Sequence, residues 1–114
     1  MLAVVAAIVL VAGCGNTRVV GAGRTLQVGL TEYRLVPQSA HALAGMLTIV
    51  AHNYGRLTHN LTVLMNGQPE GSTAPIPPGG SANLTVYLPK GHYTLASTIQ
   101  SDQTLGAYGS LIVG

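Results

Sequence analysis

The feature that most restricts the fold of this chain is an alternation of apolar and polar residues with a period of two. In the first such stretch, Leu26, Val28 and Leu30 alternate with polar or small residues. The pattern recurs in three later stretches, residues 59–65, 82–88 and 93–97. Alternation of this kind is typical of a β-strand with one buried face. Because no segment shows the 3.6-residue period of an amphipathic helix, the sequence predicts an all-β protein.

Turn signals separate the predicted strands. Asn66-Gly67 is a typical hairpin turn, and residues 68–80, which are rich in Pro and Gly, are predicted as a loop. Gly91-His92-Tyr93 resembles a tyrosine corner, a feature of Greek-key sandwiches. Short strands at this spacing, in a body of about 100 residues, favour a sandwich. We therefore predict an antiparallel Greek-key β-sandwich of about seven to eight strands.

The first residues have the character of a targeting segment. Residues 1–13 carry no charged side chain, and as a helix they would reach only about 20 Å, less than the ~30 Å hydrocarbon core of a membrane. This predicts a signal peptide. The sequence "LVAGC", with Ala12 and Gly13 before Cys14, resembles the lipobox of bacterial lipoproteins. The resemblance implies cleavage before Cys14 and attachment of lipid to its sulfur.

These features predict three segments: a signal peptide at 1–13, a lipidated cysteine and tether at 14–24, and a domain at 25–114. We expect the domain on the extracytoplasmic face of a cell membrane, in the periplasm or at the cell surface. The lack of a Lys/Arg-containing region before the apolar stretch indicates a start upstream of Met1. The alternative is an ordinary secretory signal with an unrelated cysteine.

Charge and cysteine content exclude two classes of protein. The five Lys and Arg residues are scattered among three Asp and Glu residues, whereas a nucleic-acid interface needs clustered positive charge. We therefore expect no nucleic-acid partner. Cys14 is the only cysteine of the chain, so no intrachain disulfide is possible.

The order of motifs resembles that of the small cupredoxin-like proteins over about residues 26–113. The segment "NYGRLTHN", which contains His59, is followed by Pro78-Gly79, by Gly91-His92-Tyr93 and by "LGAYGSLIVG". The resemblance implies a Greek-key β-sandwich of the kind found in secreted or periplasmic bacterial proteins.

The resemblance also implies where copper ligands would lie. His59 matches the first histidine, Ser97 the cysteine, Asp102 the second histidine and Ala107 the methionine. Blue copper requires a thiolate in addition to two imidazoles. Because the domain contains no cysteine, type-1 copper and its electron transfer are excluded, and these four positions are interpreted as a vestigial copper site.

The strand parity places His59 and Ser97 inward at one end of the sandwich, with Asp102 above them. We expect His59 to form a hydrogen bond with Ser97, Asp102 or a backbone carbonyl, because an unsatisfied buried imidazole is costly. Two alternatives remain: a serine–histidine–aspartate hydrolase site, and a metal held by His59 and Asp102, since imidazole and carboxylate suit Cu(II), Zn or Ni.

The remaining side chains with relevant chemistry are predicted to be structural. His41, His52 and His92 are expected to face solvent, and Met46 and Met65 to fill the core. The leading functional prediction is a membrane-anchored, non-enzymatic binding or structural accessory module without a cofactor. A protein of the cell envelope is its possible partner. The alternative is a periplasmic or cell-surface protein that binds copper weakly through His59.

Overall fold

The structure, a computed structural model, describes residues 17–99 and 107–114. The predicted signal peptide, Cys14 and Asp102 lie outside the described residues. The described part of the chain forms ten β-strands, with the following bounds: β1 Thr17–Val19, β2 Thr25–Thr31, β3 Arg34–Val36, β4 Ser39–Ala42, β5 Gly45–Asn53, β6 Thr62–Met65, β7 Gln68–Ser72, β8 Ser81–Leu88, β9 Gly91–Ala96 and β10 Tyr108–Val113. The all-β prediction is confirmed.

The strands form two sheets. The larger has the order β1-β4-β10-β9-β6-β7, and the smaller has the order β3-β2-β5-β8. Both are mixed, because β4 is parallel to β1 and β10, and β2 is parallel to β5. The sandwich is confirmed, but these pairs differ from the purely antiparallel arrangement that was predicted. They arise because the chain crosses to the larger sheet after β3, where β4 runs beside strands distant in sequence, and then returns to the smaller sheet, where β5 pairs with β2.

The core lies between the two sheets and follows the predicted alternation. Leu26, Val28 and Leu30 of β2 are each at most 1% exposed. Side chains from the larger sheet pack in the same cluster, among them Val63, Leu95 and Leu111, together with Leu61, which precedes β6. Met65 is half-buried against this cluster, whereas Met46 is 53% exposed. The prediction that Met46 fills the core is therefore wrong, because β5 turns Leu47, Ile49 and Ala51 inward and Met46 lies on the opposite, outward face.

One strand forms within the predicted loop. Asn66 and Gly67 have φ angles of 51° and 79°, as a type I′ turn requires, and they join β6 to β7. β7 contains Pro69, which has no backbone donor, but the strand lies at the edge of its sheet, where proline is tolerated. Sequence analysis missed this strand because residues 68–80 are rich in Pro and Gly, a composition typical of loops.

The tyrosine corner is present. Tyr93 is buried, and its hydroxyl donates a hydrogen bond to the carbonyl of Pro89 at 2.6 Å. Burial is the main reason that the pKa of Tyr93 is raised, and the charge of Glu70 adds to the effect. No helix within residues 17–99 and 107–114 has the length and apolarity needed to cross a membrane. Residues 17–19, inside the predicted tether, form β1 of the larger sheet.

Candidate functional site

His59 lies at one end of the sandwich, which we call the His59 end. Here β5 ends at Asn53, β9 ends at Ala96 and β10 begins at Tyr108. His59 follows the loop 54–58 and forms an isolated antiparallel bridge with Ile76. Its N–H donates to the Ile76 carbonyl at 3.1 Å, and the Ile76 N–H donates back at 2.6 Å. The bridge holds the His59 side chain in the interior, where it is 0% exposed.

The imidazole of His59 contacts a carboxylate that sequence analysis missed. His59 Nε2 lies 3.1 Å from Glu32 Oε2, and the Glu32 side chain is 26% exposed. Because an ionised carboxylate can only accept, Nε2 carries the proton and donates it. Glu32 lies in the turn between β2 and β3, 27 residues before His59. No spacing motif links such distant positions, so only the tertiary structure reveals the pair.

Glu32 also holds the loop that precedes His59. The same oxygen, Oε2, accepts the N–H of Arg56 at 2.6 Å and the N–H of Leu57 at 3.0 Å. The hydrogen bond from Leu57 is the main cause that lowers the pKa of Glu32. His59 and Arg56 lower this pKa further, while partial desolvation opposes them. Glu32 is consequently a stable carboxylate at neutral pH.

Asn53 fastens the same loop from the opposite side. Its Nδ2 donates to the carbonyls of Leu57 and Ile76, both at 2.8 Å, and its Oδ1 accepts the Gly55 N–H at 2.8 Å. A Cβ at Gly55 would collide with the Glu32 carboxylate, whose carbon would lie only 2.9 Å away. Glycine at this position therefore allows the carboxylate to approach the loop backbone.

Ser97 occupies the adjacent interior position. Its hydroxyl accepts the Asn60 N–H at 3.3 Å and donates to Asn60 Oδ1 at 3.4 Å. The Ser97 N–H donates to the carbonyl of Ala107 at 3.1 Å. Ser97 and Ala107 are both 0% exposed.

The structure thus places three of the four predicted site residues together. His59, Ser97 and Ala107 are buried at the His59 end, as the strand parity indicates for the first two. Asp102 lies outside the described residues, so its contribution stays a prediction. Ser97 contacts the residue after His59, while Glu32 is the described carboxylate partner of the imidazole.

The other histidines lie apart from this network. His41 and His92 are exposed, as predicted. His52 is half-buried on the outer face of the smaller sheet, where its Nε2 lies 2.7 Å from Gln27 Oε1. Its ring also stacks on Tyr54, with centroids 5.9 Å apart. These contacts give His52 a structural role on the surface.

Comparison with known proteins identifies the fold. No family model and no curated protein matches this chain. Auracyanin from Roseiflexus castenholzii superposes with a TM-score of 0.74 at 18% identity, covering 82% of this chain and 99% of its own. Rusticyanin superposes with a TM-score of 0.70 at 16% identity, covering 88% of this chain and 85% of its own. Auracyanin A, a "blue" copper protein from Chloroflexus aurantiacus, superposes with a TM-score of 0.69 at 16% identity, covering 79% of this chain and 98% of its own. At these identities the likeness establishes a cupredoxin-like fold.

The side chains present do not fit a type-1 copper ion. Such a centre requires a cysteine thiolate, and the sequence resemblance aligns Ser97 with that ligand. The Ser97 hydroxyl cannot supply a thiolate, and Ala107 offers only a methyl group. Within residues 17–99 and 107–114, no group of three or more His, Cys, Asp or Glu side chains is placed to hold a metal.

Proposed function

We propose that the chain is a membrane-anchored, extracytoplasmic cupredoxin-like lipoprotein that lacks a type-1 copper site. We propose that it acts as a non-enzymatic binding or structural accessory module. The observation that carries the proposal is the buried Ser97 hydroxyl, which bonds to Asn60 where the resemblance expects a copper thiolate. The fold is that of the copper proteins, but this position has a different chemistry.

The hydrogen bonds around His59 support a structural purpose for this end of the sandwich. The imidazole donates to Glu32, and Glu32 and Asn53 together hold the loop 54–57. In the described part of the chain, every buried side-chain nitrogen and oxygen has a hydrogen-bond partner. A satisfied polar network of this kind fixes one loop conformation without help from a ligand.

Copper titration tests the absence of a type-1 site. The purified protein with Cys14 changed to Ser should develop no intense thiolate-to-copper absorption at about 600 nm on addition of Cu(II), because no sulfur ligand in the thiolate state remains. The unchanged chain is titrated in parallel, to reveal any contribution from the Cys14 thiol. A blue colour in the Cys14→Ser variant would refute the proposal.

The membrane anchor has its own test. Mass spectrometry of the protein from a bacterial host should show an acylated N-terminal Cys14. Stable retention requires more than one acyl chain. In Cys14→Ser, protein from which the signal peptide has been removed should therefore be found mostly in the soluble fraction. A Cys14→Ser variant that is processed normally and remains just as membrane-bound would contradict the lipoprotein assignment.

One contact favours a second candidate function, copper binding without a thiolate. His59 and Glu32 present an imidazole and a carboxylate 3.1 Å apart, and both groups are ligands for Cu(II). If this function is correct, the protein should bind Cu(II) without intense colour. Binding should be lost in both His59→Ala and Glu32→Gln. Unchanged binding in either variant would count against it.

A further inference from the structure

We propose that the His59 end of the sandwich lies against the lipid bilayer to which the chain is anchored. Exposed side chains of the loop 54–57 and the neighbouring turns then contact the membrane interface. This inference rests on the proposed lipidation of Cys14. It adds an orientation and a lipid-contacting surface to that proposal.

The first step is the point at which the chain enters the sandwich. β1 runs parallel to β4, with Thr17 beside Ser39, and β4 runs parallel to β10, with Ser39 beside Ser110. β10 begins at Tyr108, at the His59 end. Thr17 therefore lies near the His59 end, and β1 runs away from it.

The second step is the reach of the chain before Thr17. Cys14 is three residues before Thr17, and three fully extended residues span at most about 10 Å. Thr17 is level with Ser110 of β10, because both are paired with Ser39. Tyr108 is two residues before Ser110, so it lies about 7 Å closer to the His59 end than Thr17 does. Leu43 lies four residues away in the opposite direction, or about 13 Å. The backbone of Cys14, where the lipid would be attached, can thus reach the level of Tyr108 but not that of Leu43.

The third step is the surface at the His59 end. Tyr33, Tyr54, Leu57 and Tyr108 are exposed by 60%, 72%, 55% and 52%. Tyr33 and Tyr108 line one groove of about 470 Å³. Tyrosine is enriched where membrane meets water, because its ring is amphipathic.

The charges at this end also suit a bilayer. Arg34 and Arg56 are exposed beside these side chains, and cations near the surface are attracted to anionic headgroups. The carboxylate of Glu32 is directed to His59 and to the backbone of the loop. Among the described residues exposed at this end, Tyr33 and Tyr54 are aromatic, Leu57 is apolar, and Arg34 and Arg56 are cationic, while Thr58 is polar and uncharged.

The exposure of apolar and aromatic side chains does not by itself distinguish the His59 end from the opposite end. The opposite end exposes Leu43 by 70%, Met46 by 53% and Tyr87 by 63%. What distinguishes the two ends is the short connection between Cys14 and Thr17. The opposite end also provides matched control positions, because Leu43 and Leu57 are the same residue type and both are exposed.

Tryptophan fluorescence tests the orientation. The chain contains no Trp, so Leu57→Trp and Leu43→Trp each introduce a single reporter. The acylated protein is reconstituted in vesicles of phosphatidylethanolamine and phosphatidylglycerol, with or without brominated acyl chains. If mass spectrometry finds a free Cys14 thiol, the protein is instead coupled through it to a maleimide-headgroup lipid. The lipidation proposal then fails, but the orientation is still tested.

We expect brominated lipid to quench about half of the emission from Leu57→Trp, since that side chain lies in the interface, and to leave Leu43→Trp unchanged. Equal quenching of both, quenching of Leu43→Trp alone, or no quenching of either would overturn the proposal. The last outcome would indicate that this end faces water or a protein. Tyr33→Trp and Tyr87→Trp repeat the comparison if either first variant fails to fold.

Discussion

At the scale of single residues, the carboxylate of Glu32 connects two segments of the chain that are distant in sequence. One carboxylate oxygen accepts hydrogen bonds from the imidazole of His59 and from the N–H groups of Arg56 and Leu57. These bonds join the β2–β3 turn to the loop after β5. The lowered pKa of Glu32 couples them to pH.

Glu32→Gln should destabilise the protein at neutral pH and weaken its sensitivity to acid. A carboxyl whose pKa is lower in the folded state contributes stability above its unfolded pKa, and this contribution is lost as the pH falls through the folded pKa. The free energy of unfolding of the parent should therefore decline more steeply below about pH 4 than that of Glu32→Gln. Denaturant unfolding across this pH range measures the difference.

Glu70→Gln is the matched control, since it removes the same charge from an exposed position on β7. Its pH dependence should resemble that of the parent. If Glu70→Gln and Glu32→Gln behave alike, the effect belongs to net charge and not to the hydrogen bonds of Glu32.

Tyr93→Phe should lower the free energy of unfolding by about 1 kcal/mol, because it removes the hydroxyl that donates to Pro89. The raised pKa of Tyr93 makes this contribution complete below about pH 10, and it is lost as the pH rises. Urea denaturation at neutral pH measures the loss. Tyr87→Phe, at an exposed tyrosine, should have little effect. An equal loss in both variants would contradict the assignment.

At this scale, sequence analysis predicts which side chains are buried better than it predicts their hydrogen-bond partners. A period of two assigns His59 and Ser97 to the interior without knowledge of their neighbours. Glu32 could not be predicted as the partner of His59, because their contact depends on how β2 and β5 align side by side. The same limit applies to Asn53, whose amide bonds to residues 55, 57 and 76.

At the scale of elements, the turn of the β6–β7 hairpin depends on backbone conformation and hardly on packing. Gly67 has a φ of +79°, and nothing lies within 4 Å of the position that a Cβ would occupy. Gly67→Ala should therefore cost about 1 kcal/mol through backbone strain alone. Thermal unfolding measures this loss. Gly23→Ala, also in open space but without a positive φ, should be close to neutral, and an equal cost there would contradict the explanation.

The four sheet edges differ in their protection. β1 and β3 are three residues long, and β7 contains Pro69, Glu70 and a register shift against β6. Short length, charge, proline and bulges all discourage pairing between molecules. β8 is eight residues long and contains neither charge nor proline. It is the least protected of these edges.

We expect self-association at high concentration to involve β8. Asn83→Lys places a charge on this edge and should reduce the concentration-dependent increase in sedimentation coefficient. Gln38→Lys adds the same charge at an exposed position outside β8 and should change it little. Equal suppression by both variants would assign the effect to net charge.

The positions of the strands could be predicted from the sequence better than the pairs that the strands form. The alternation identified β2, β8 and β9 because each has one buried face. It missed β7, an edge strand with mostly exposed residues. It also missed the parallel pairs, because pairing depends on the path of the chain between the sheets and not on local pattern.

At the scale of the whole molecule, stability rests on the core between the sheets and on the polar network at the His59 end. With one cysteine, the chain cannot form an intrachain disulfide. We expect the midpoint of thermal unfolding to be the same with or without a reductant or a chelator. A fall of several degrees in chelator would reveal a bound metal that contributes to the folded state.

The fastening of the loop 54–57 by Asn53 and Glu32 has a consequence for the entropy of association. A surface whose backbone is already ordered loses little conformational freedom when it binds another surface. The entropic cost of binding is therefore smaller. The N–H groups of Gly55, Arg56 and Leu57 are occupied by these two side chains. Recognition at this end must therefore come from shape and from outward side chains, with little local rearrangement on contact.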